Sequence, residues 1–163
     1  FFLMLRRPPR STLLPATHLF LSPHHRTPGM KRKALQCLGE EVAALHLVGF
    51  VHGDLRLHNI MIQETDGGFK IFFLDNESTK LYRKIPRKLI IQNLRQMKTD
   101  PTCIISKTDR LRIFRAYQNI HGRFTRDEER TVITEIERLT EKVLEISRKR
   151  RRAALSKMSS VSH

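Results

Sequence analysis

Between Asn59 and Leu74 the sequence spells out a hairpin, and that hairpin constrains everything around it. Two apolar runs, Asn59 to Gln63 and Phe69 to Leu74, flank Glu64-Thr65-Asp66-Gly67-Gly68. Runs this short are strand length, and a Gly-Gly turn adopts positive φ without a Cβ clash. A hairpin returns its second strand to the start of its first, so polar groups at the two open ends meet. Here those ends carry Asn59 on one side and Asp75-Asn76-Glu77 on the other. The loop His52-Gly53-Asp54-Leu55-Arg56-Leu57-His58 runs directly into the first strand and adds Asp54 and Arg56 to the same neighbourhood.

On both sides of this unit the pattern is helical. Leu35, Leu38, Val42 and Leu45 recur at spacings of three, four and three, which predicts a helix from about Lys31 stopped by Gly49. Further helices are predicted over roughly 82–98, 108–120 and 126–152, the last opened by the capping-box pair Thr125 and Glu128. Its stripe Val132, Ile136, Leu139, Val143 and Ile146 reads as core packing. The expected fold is α+β and mainly helical, with a small β-hairpin at the polar site and no internal repeat. His46 and His58 read as polar groups at a helix end and in a loop.

Residues 1–33 carry seven basic side chains and no acid, and residues 148–163 carry six and no acid, so most of the net charge of +15 lies in the tails. Residues 80–115 hold eleven basic and two acidic side chains, a belt expected to line the site and receive an anionic partner. Five of the seven prolines fall in the first 28 residues. This divides the chain into a disordered or mis-started leader, 1–30, with Met30 an alternative start; a folded unit, 31–147; and a basic disordered tail, 148–163. The leader is no signal peptide, because Phe1 to Leu5 precede Arg6 and Arg7. The stretch from Leu13 to Leu21 is broken by Pro15, Thr17 and His18 and falls short of a membrane span. Cys37 and Cys103 lack partners at metal-ligand spacing and read as reduced thiols of a cytosolic protein.

Val51 to Ile62, followed by Ile71 to Glu77, resembles the catalytic loop and metal-binding turn of the protein-kinase-like superfamily. His-Gly-Asp in place of His-Arg-Asp, and the later stretches Pro86 to Met97 and Ser106 to Tyr117, are similar to the C-terminal half of lipopolysaccharide kinases that phosphorylate Kdo or heptose sugars. The likeness covers about residues 34–145 and implies a kinase C-terminal lobe using ATP and Mg²⁺. Asp54 would be the catalytic base and Arg56 would lie near the transferred phosphate. Asn59 and Asp75 would be the metal ligands, His52 would brace the loop, and Glu77 would be a weaker metal neighbour. Phosphoryl transfer needs positioning and charge neutralisation more than covalent chemistry, which is why carboxylates and an amide oxygen suffice.

The implied acceptor is an anionic or lipid-linked sugar, met in the cytoplasm or peripherally at the inner face of the inner membrane. Asn76-Glu77 stands where protein kinases carry Phe-Gly, as is common in sugar and antibiotic kinases. The family's N-terminal lobe, with its Gly-rich loop, strand Lys and helix Glu, has no counterpart before Lys31, so the chain alone is expected to be weakly active or inactive. Three other classes compete. One is a catalytically inactive kinase-like protein. Another is a basic protein binding nucleic acid or anionic lipid, which explains the charge but not Asp54, Asn59 and Asp75. The third is an iron site of His52, Asp54 and His121, chemistry that belongs to strand-rich folds.

Overall fold

The structure, a computed structural model, describes residues 2–3, 13–15, 27–98, 106–122 and 124–160. Cys103 and most of the proline-rich leader lie outside the described residues. In chain order the elements are β1 (Phe2–Leu3), β2 (Leu13–Pro15), α1 (Pro28–Leu47), β3 (Phe50–Val51), β4 (Ile60–Thr65), β5 (Gly68–Phe73), β6 (Lys80–Leu81), α2 (Arg87–Lys98), α3 (Lys107–His121) and α4 (Arg126–Ser160). One-turn 3₁₀ helices, Leu57–Asn59 and Asn76–Ser78, precede β4 and follow β5.

Helix α1 begins three residues before the periodicity does. Thr27 caps it by accepting a hydrogen bond from the Met30 N–H at 3.4 Å, and Pro28 stands in the first turn, where no N–H is needed. The expected stop holds: Gly49, at φ +88°, carries the chain away from the helix end. Leu35, Leu38, Val42 and Leu45 are all fully buried, as their spacing requires. The helix packs against α3, which runs parallel to it. Lys31 pairs with Asp109 at 2.8 Å at one end, and His46 meets Tyr117 at the other. Between these points Gly39 sits against the Ile113 carbonyl and Ala116, where any Cβ would overlap. A mid-helix glycine costs ~1 kcal/mol against alanine, and here it permits the close approach of two helices.

The hairpin forms as predicted, β4 pairing with β5 from Ile60↔Phe73 to Thr65↔Gly68. Two strands from the leader extend it into a sheet of order β1-β5-β4-β2, β1 parallel to β5 and β2 antiparallel to β4. Both lie in the segment 1–30, expected to be a disordered or mis-started leader: strands this short gain their ladder bonds from a partner edge and leave no periodicity to read. Ile60, Ile62, Ile71 and Phe73 point from the hairpin into the core. Helix α2 starts at Arg87, five residues later than expected, because Pro86 is disfavoured inside a helix and tolerated at its first turn.

Helix α4 opens on the predicted capping box, Thr125 N–H to Glu128 Oε2 at 2.8 Å and Glu128 N–H to Thr125 Oγ1 at 3.3 Å. It then continues to Ser160 through the segment expected to be disordered. Its apolar stripe is core only in part. Val132 is buried and Ile136 and Leu139 partly so, whereas Ile146 is 42% exposed and Arg148 to Arg152 are exposed.

Candidate active site

His52 joins the two halves of the site. Its side chain is fully buried, with Nε2 2.8 Å from the Leu74 carbonyl oxygen and Nδ1 accepting the Asp54 N–H at 3.1 Å. A carbonyl only accepts, so Nε2 carries the proton and the ring is neutral. Burial lowers its basicity, which outweighs the opposing bond to Leu74 and the charges of Asp54 and Asp75. One side chain thus ties the backbone of Asp54 to the residue before Asp75.

A second tie runs through the strands. The Leu74 N–H donates to the Asn59 carbonyl at 2.8 Å, prolonging the β4–β5 ladder by one bond. Asn59 turns its Nδ2 to Asp54, donating to the backbone carbonyl at 3.0 Å and to Oδ2 at 3.2 Å. Its amide oxygen is thereby left on the other side. Arg56 Nε lies 2.8 Å from Asp54 Oδ1, an oxygen that is shielded from solvent and accepts no aligned hydrogen bond. Asp75 follows β5 in the left-handed region, φ 57° and ψ 54°, the sole non-glycine among the described residues with positive φ. Aspartate tolerates that region better than most residues, and such conformations concentrate at functional sites. Its side chain is exposed, as is that of Glu77.

Gly53, between His52 and Asp54, is the point of closest approach. A Cβ there would collide with Ser78, one residue past Glu77. His-Gly-Asp therefore has a packing reason as well as a family likeness: the loop and the segment that follows Asp75 touch at residue 53.

The loop's backbone is held from below by a network the sequence reading did not anticipate. From α2, Asn93 Nδ2 donates to the His52 carbonyl at 2.6 Å and to Gln96 Oε1 at 2.9 Å. Gln96 Nε2 donates to the Gly53 carbonyl at 2.9 Å, and Gln96 Oε1 accepts the Leu55 N–H at 3.1 Å. Asn93 Oδ1 accepts from His46 Nε2 at 3.1 Å, and His46 Nδ1 accepts the Tyr117 hydroxyl proton at 3.0 Å. All the hydrogen bonds from Tyr117 to His52 point the same way, and chains of this kind polarise one another. Burial pushes His46 down to about 4 and raises Tyr117 well above its ordinary value, so both are neutral. His46 is thus the helix-end group expected, in the last turn of α1, and it is also a buried member of the network. The available signal was the spacing of Asn93 and Gln96, polar residues three apart on the same helix as Ile90, Ile91, Leu94 and Met97.

The iron-site alternative fails on geometry. Both ring nitrogens of His52 are engaged, and His121 stacks on Tyr117 with ring centroids 5.0 Å apart. No group of three or more His, Cys, Asp or Glu side chains able to hold a metal occurs among the described residues. The basic belt does not act as one surface either. Arg112 is spent on Asp109 at 2.8 Å, and Lys107 and Arg110 border a largely apolar cavity of about 260 Å³ among α2, α3 and α4, lined by Leu94, Met97, Phe114 and Ile136. Lys80, Arg83, Lys84, Arg87 and Lys88 remain exposed on the segment that follows the Asp75 turn.

Comparison with solved structures finds the same fold in "WaaP in complex with acyl carrier protein", at TM-score 0.61 and 19% identity over 74% of this chain and 52% of that one. The chain thus spans about half the length of that structure. No curated protein matches the sequence. The model of the lipopolysaccharide kinase (Kdo/WaaP) family matches residues 18–117, a stretch that contains the catalytic-type loop, the hairpin, the Asp75 turn and the helices that clamp them. With more than half of its length matched, the chain belongs to the lipopolysaccharide kinase (Kdo/WaaP) family.

Proposed function

We propose that this chain forms the base-and-metal half of an ATP-dependent kinase acting on a sugar hydroxyl of the lipopolysaccharide core, of the Kdo or heptose class. The observation that carries the reading is the His52 bridge, which fixes Asp54 and the Asp75 turn to each other. Asp54 accepts the acceptor hydroxyl's proton. Arg56 Nε and Asn59 Nδ2 hold its carboxylate in place, and each of its oxygens keeps a further lone pair. Arg56 pairs through Nε, so its terminal amino groups can meet phosphate oxygens.

The donor set fits Mg²⁺. This ion takes one or two carboxylates together with substrate phosphates and water, and Asp75 offers a carboxylate while Asn59 offers an amide oxygen. Bound there, the ion would neutralise charge on the transferred phosphate. Asp75 and Asn59 would hold it, with Glu77, close in sequence, secondary to them. The acceptor is met in the cytoplasm, with peripheral contact at the inner face of the inner membrane; no described helix is long and apolar enough to cross a membrane.

In the whole protein, ATP-dependent phosphate transfer to a core sugar should fall about a hundredfold or more in Asp54→Ala and in Asp75→Ala, as expected when a general base or a metal ligand is lost. Transfer that survives Asp75→Ala would overturn the proposal. The 163-residue chain alone, with Gly29 its one glycine before Gly39, carries no glycine-rich phosphate loop and should turn over weakly at best.

A further inference from the structure

The most exposed large apolar side chains among the described residues gather at one place. Leu47 and Val48, at the end of α1, are each 58% exposed, and Leu81, in β6, is 67% exposed. They are neighbours across the β3–β6 pair: Phe50 pairs with Leu81, the Tyr82 N–H donates to the Gly49 carbonyl at 2.8 Å, and Leu81 Cδ1 lies 3.3 Å from where a Cβ on Gly49 would stand. Ile120, 46% exposed near the end of α3, lies at the same end of the parallel α1–α3 pair. Three exposed cations, Lys80, Arg83 and Lys84, flank Leu81 in sequence, one before it and two just after it.

Exposed leucine and valine next to clustered lysine and arginine is the chemistry of a surface that meets anionic lipid. The apolar side chains enter the headgroup–acyl boundary and the cations pair with phosphates. We propose that Leu47, Val48 and Leu81, with Lys80, Arg83 and Lys84, form a docking surface for an anionic phospholipid bilayer. This rests on the reading of the chain as a lipopolysaccharide-sugar kinase and names the element that presents it to the lipid. The placement suits that role. Strands β3 and β6 run from the tip to the site, Val51 pairing with Lys80 and Gly53 lying against Ser78. At ~3.3 Å per strand residue, Asp54 stands roughly 10–15 Å from the tip, within reach of a sugar attached near the headgroups.

The fold holds a second basic element, the α4 segment Arg148 to Arg152, so vesicle binding alone would not say which one touches lipid. Depth-resolved fluorescence does. The chain has no tryptophan, so Leu81→Trp and Leu144→Trp, each at an exposed position, give single reporters on the tip and on α4. On phosphatidylglycerol–phosphatidylethanolamine vesicles with brominated acyl chains, Leu81→Trp should shift to the blue and be quenched, and Leu144→Trp should do neither. Lys80→Ala/Arg83→Ala/Lys84→Ala should lower partitioning roughly tenfold or more, and added salt should weaken it in the unsubstituted protein. Quenching of Leu144→Trp equal to or greater than that of Leu81→Trp, quenching of neither, or no vesicle binding would each overturn the proposal. The assay contains neither ATP nor sugar. Asp54→Ala should keep the Leu81→Trp quenching here and lose transfer in the whole protein, so failure of the docking surface and failure of the kinase reading are separable.

Discussion

Asn93→Leu should lower the unfolding free energy by about 3–5 kcal/mol, measured by urea denaturation at neutral pH. Leucine has the same branching and number of side-chain heavy atoms and opens no cavity, so the cost comes chiefly from the polar groups. Two of them are stranded in a fully buried place. The His46 Nε2–H loses its acceptor and the His52 carbonyl loses its donor, each costing ~1–3 kcal/mol when buried without a partner. Gln96 Oε1 retains the Leu55 N–H and adds less. Tyr117→Phe removes only the outermost donor and should cost about 1 kcal/mol. A loss below ~1 kcal/mol for Asn93→Leu would show that α2 does not hold the Asp54 loop.

Stability should fall steeply between about pH 6.5 and pH 4, before most carboxylates titrate. His46 is driven down from 6.5 to about 4 by burial, with the hydrogen bond to Asn93 opposing and the charge of His121 assisting. Its folded form thus binds fewer protons than the unfolded chain throughout that window. The stabilisation is complete above the unfolded value and is lost as pH falls through the window, up to about 3 kcal/mol at its acid end. His52 and His121 are lowered for the same first cause and steepen the slope in the same direction. Urea midpoints at about pH 7.5 and about pH 5 should therefore differ clearly, and His46→Gln, whose amide can serve both neighbours, should flatten the difference. An unchanged slope in His46→Gln would remove His46 as its source.

What could be read from the sequence was what has a period or a fixed spacing. The α1 stripe, the Thr125–Glu128 cap and the β4–β5 hairpin each follow from local chemistry, and once the hairpin is drawn Asn59 and the Asp75 turn must meet. Tertiary choices left no such trace. Phe2–Leu3 and Leu13–Pro15 become strands only because β5 and β4 present edges to them. Arg148 to Arg152 stay helical although the apolar stripe before them has already left the core. The clamp on the Asp54 loop went unseen because an asparagine among isoleucines reads as one more surface residue until its partners on α1 and the loop are known. Gly53 resembled a family marker, and its physical reason, contact with Ser78, needs two segments twenty-five residues apart to be seen side by side.

The claim at the centre is that Asp54, Asn59 and Asp75 form one site for a metal–nucleotide complex, and it can be tested without turnover. At 19.1 kDa the chain is open to backbone NMR, and Mn²⁺–ATP broadens amide signals within a short radius of the ion. Broadening should centre on Asp54, Asn59 and Leu74 to Asn76, leave Arg148 to Arg152 sharp, and disappear in Asp75→Ala. Broadening centred elsewhere, or unchanged in Asp75→Ala, would contradict the assignment of the site.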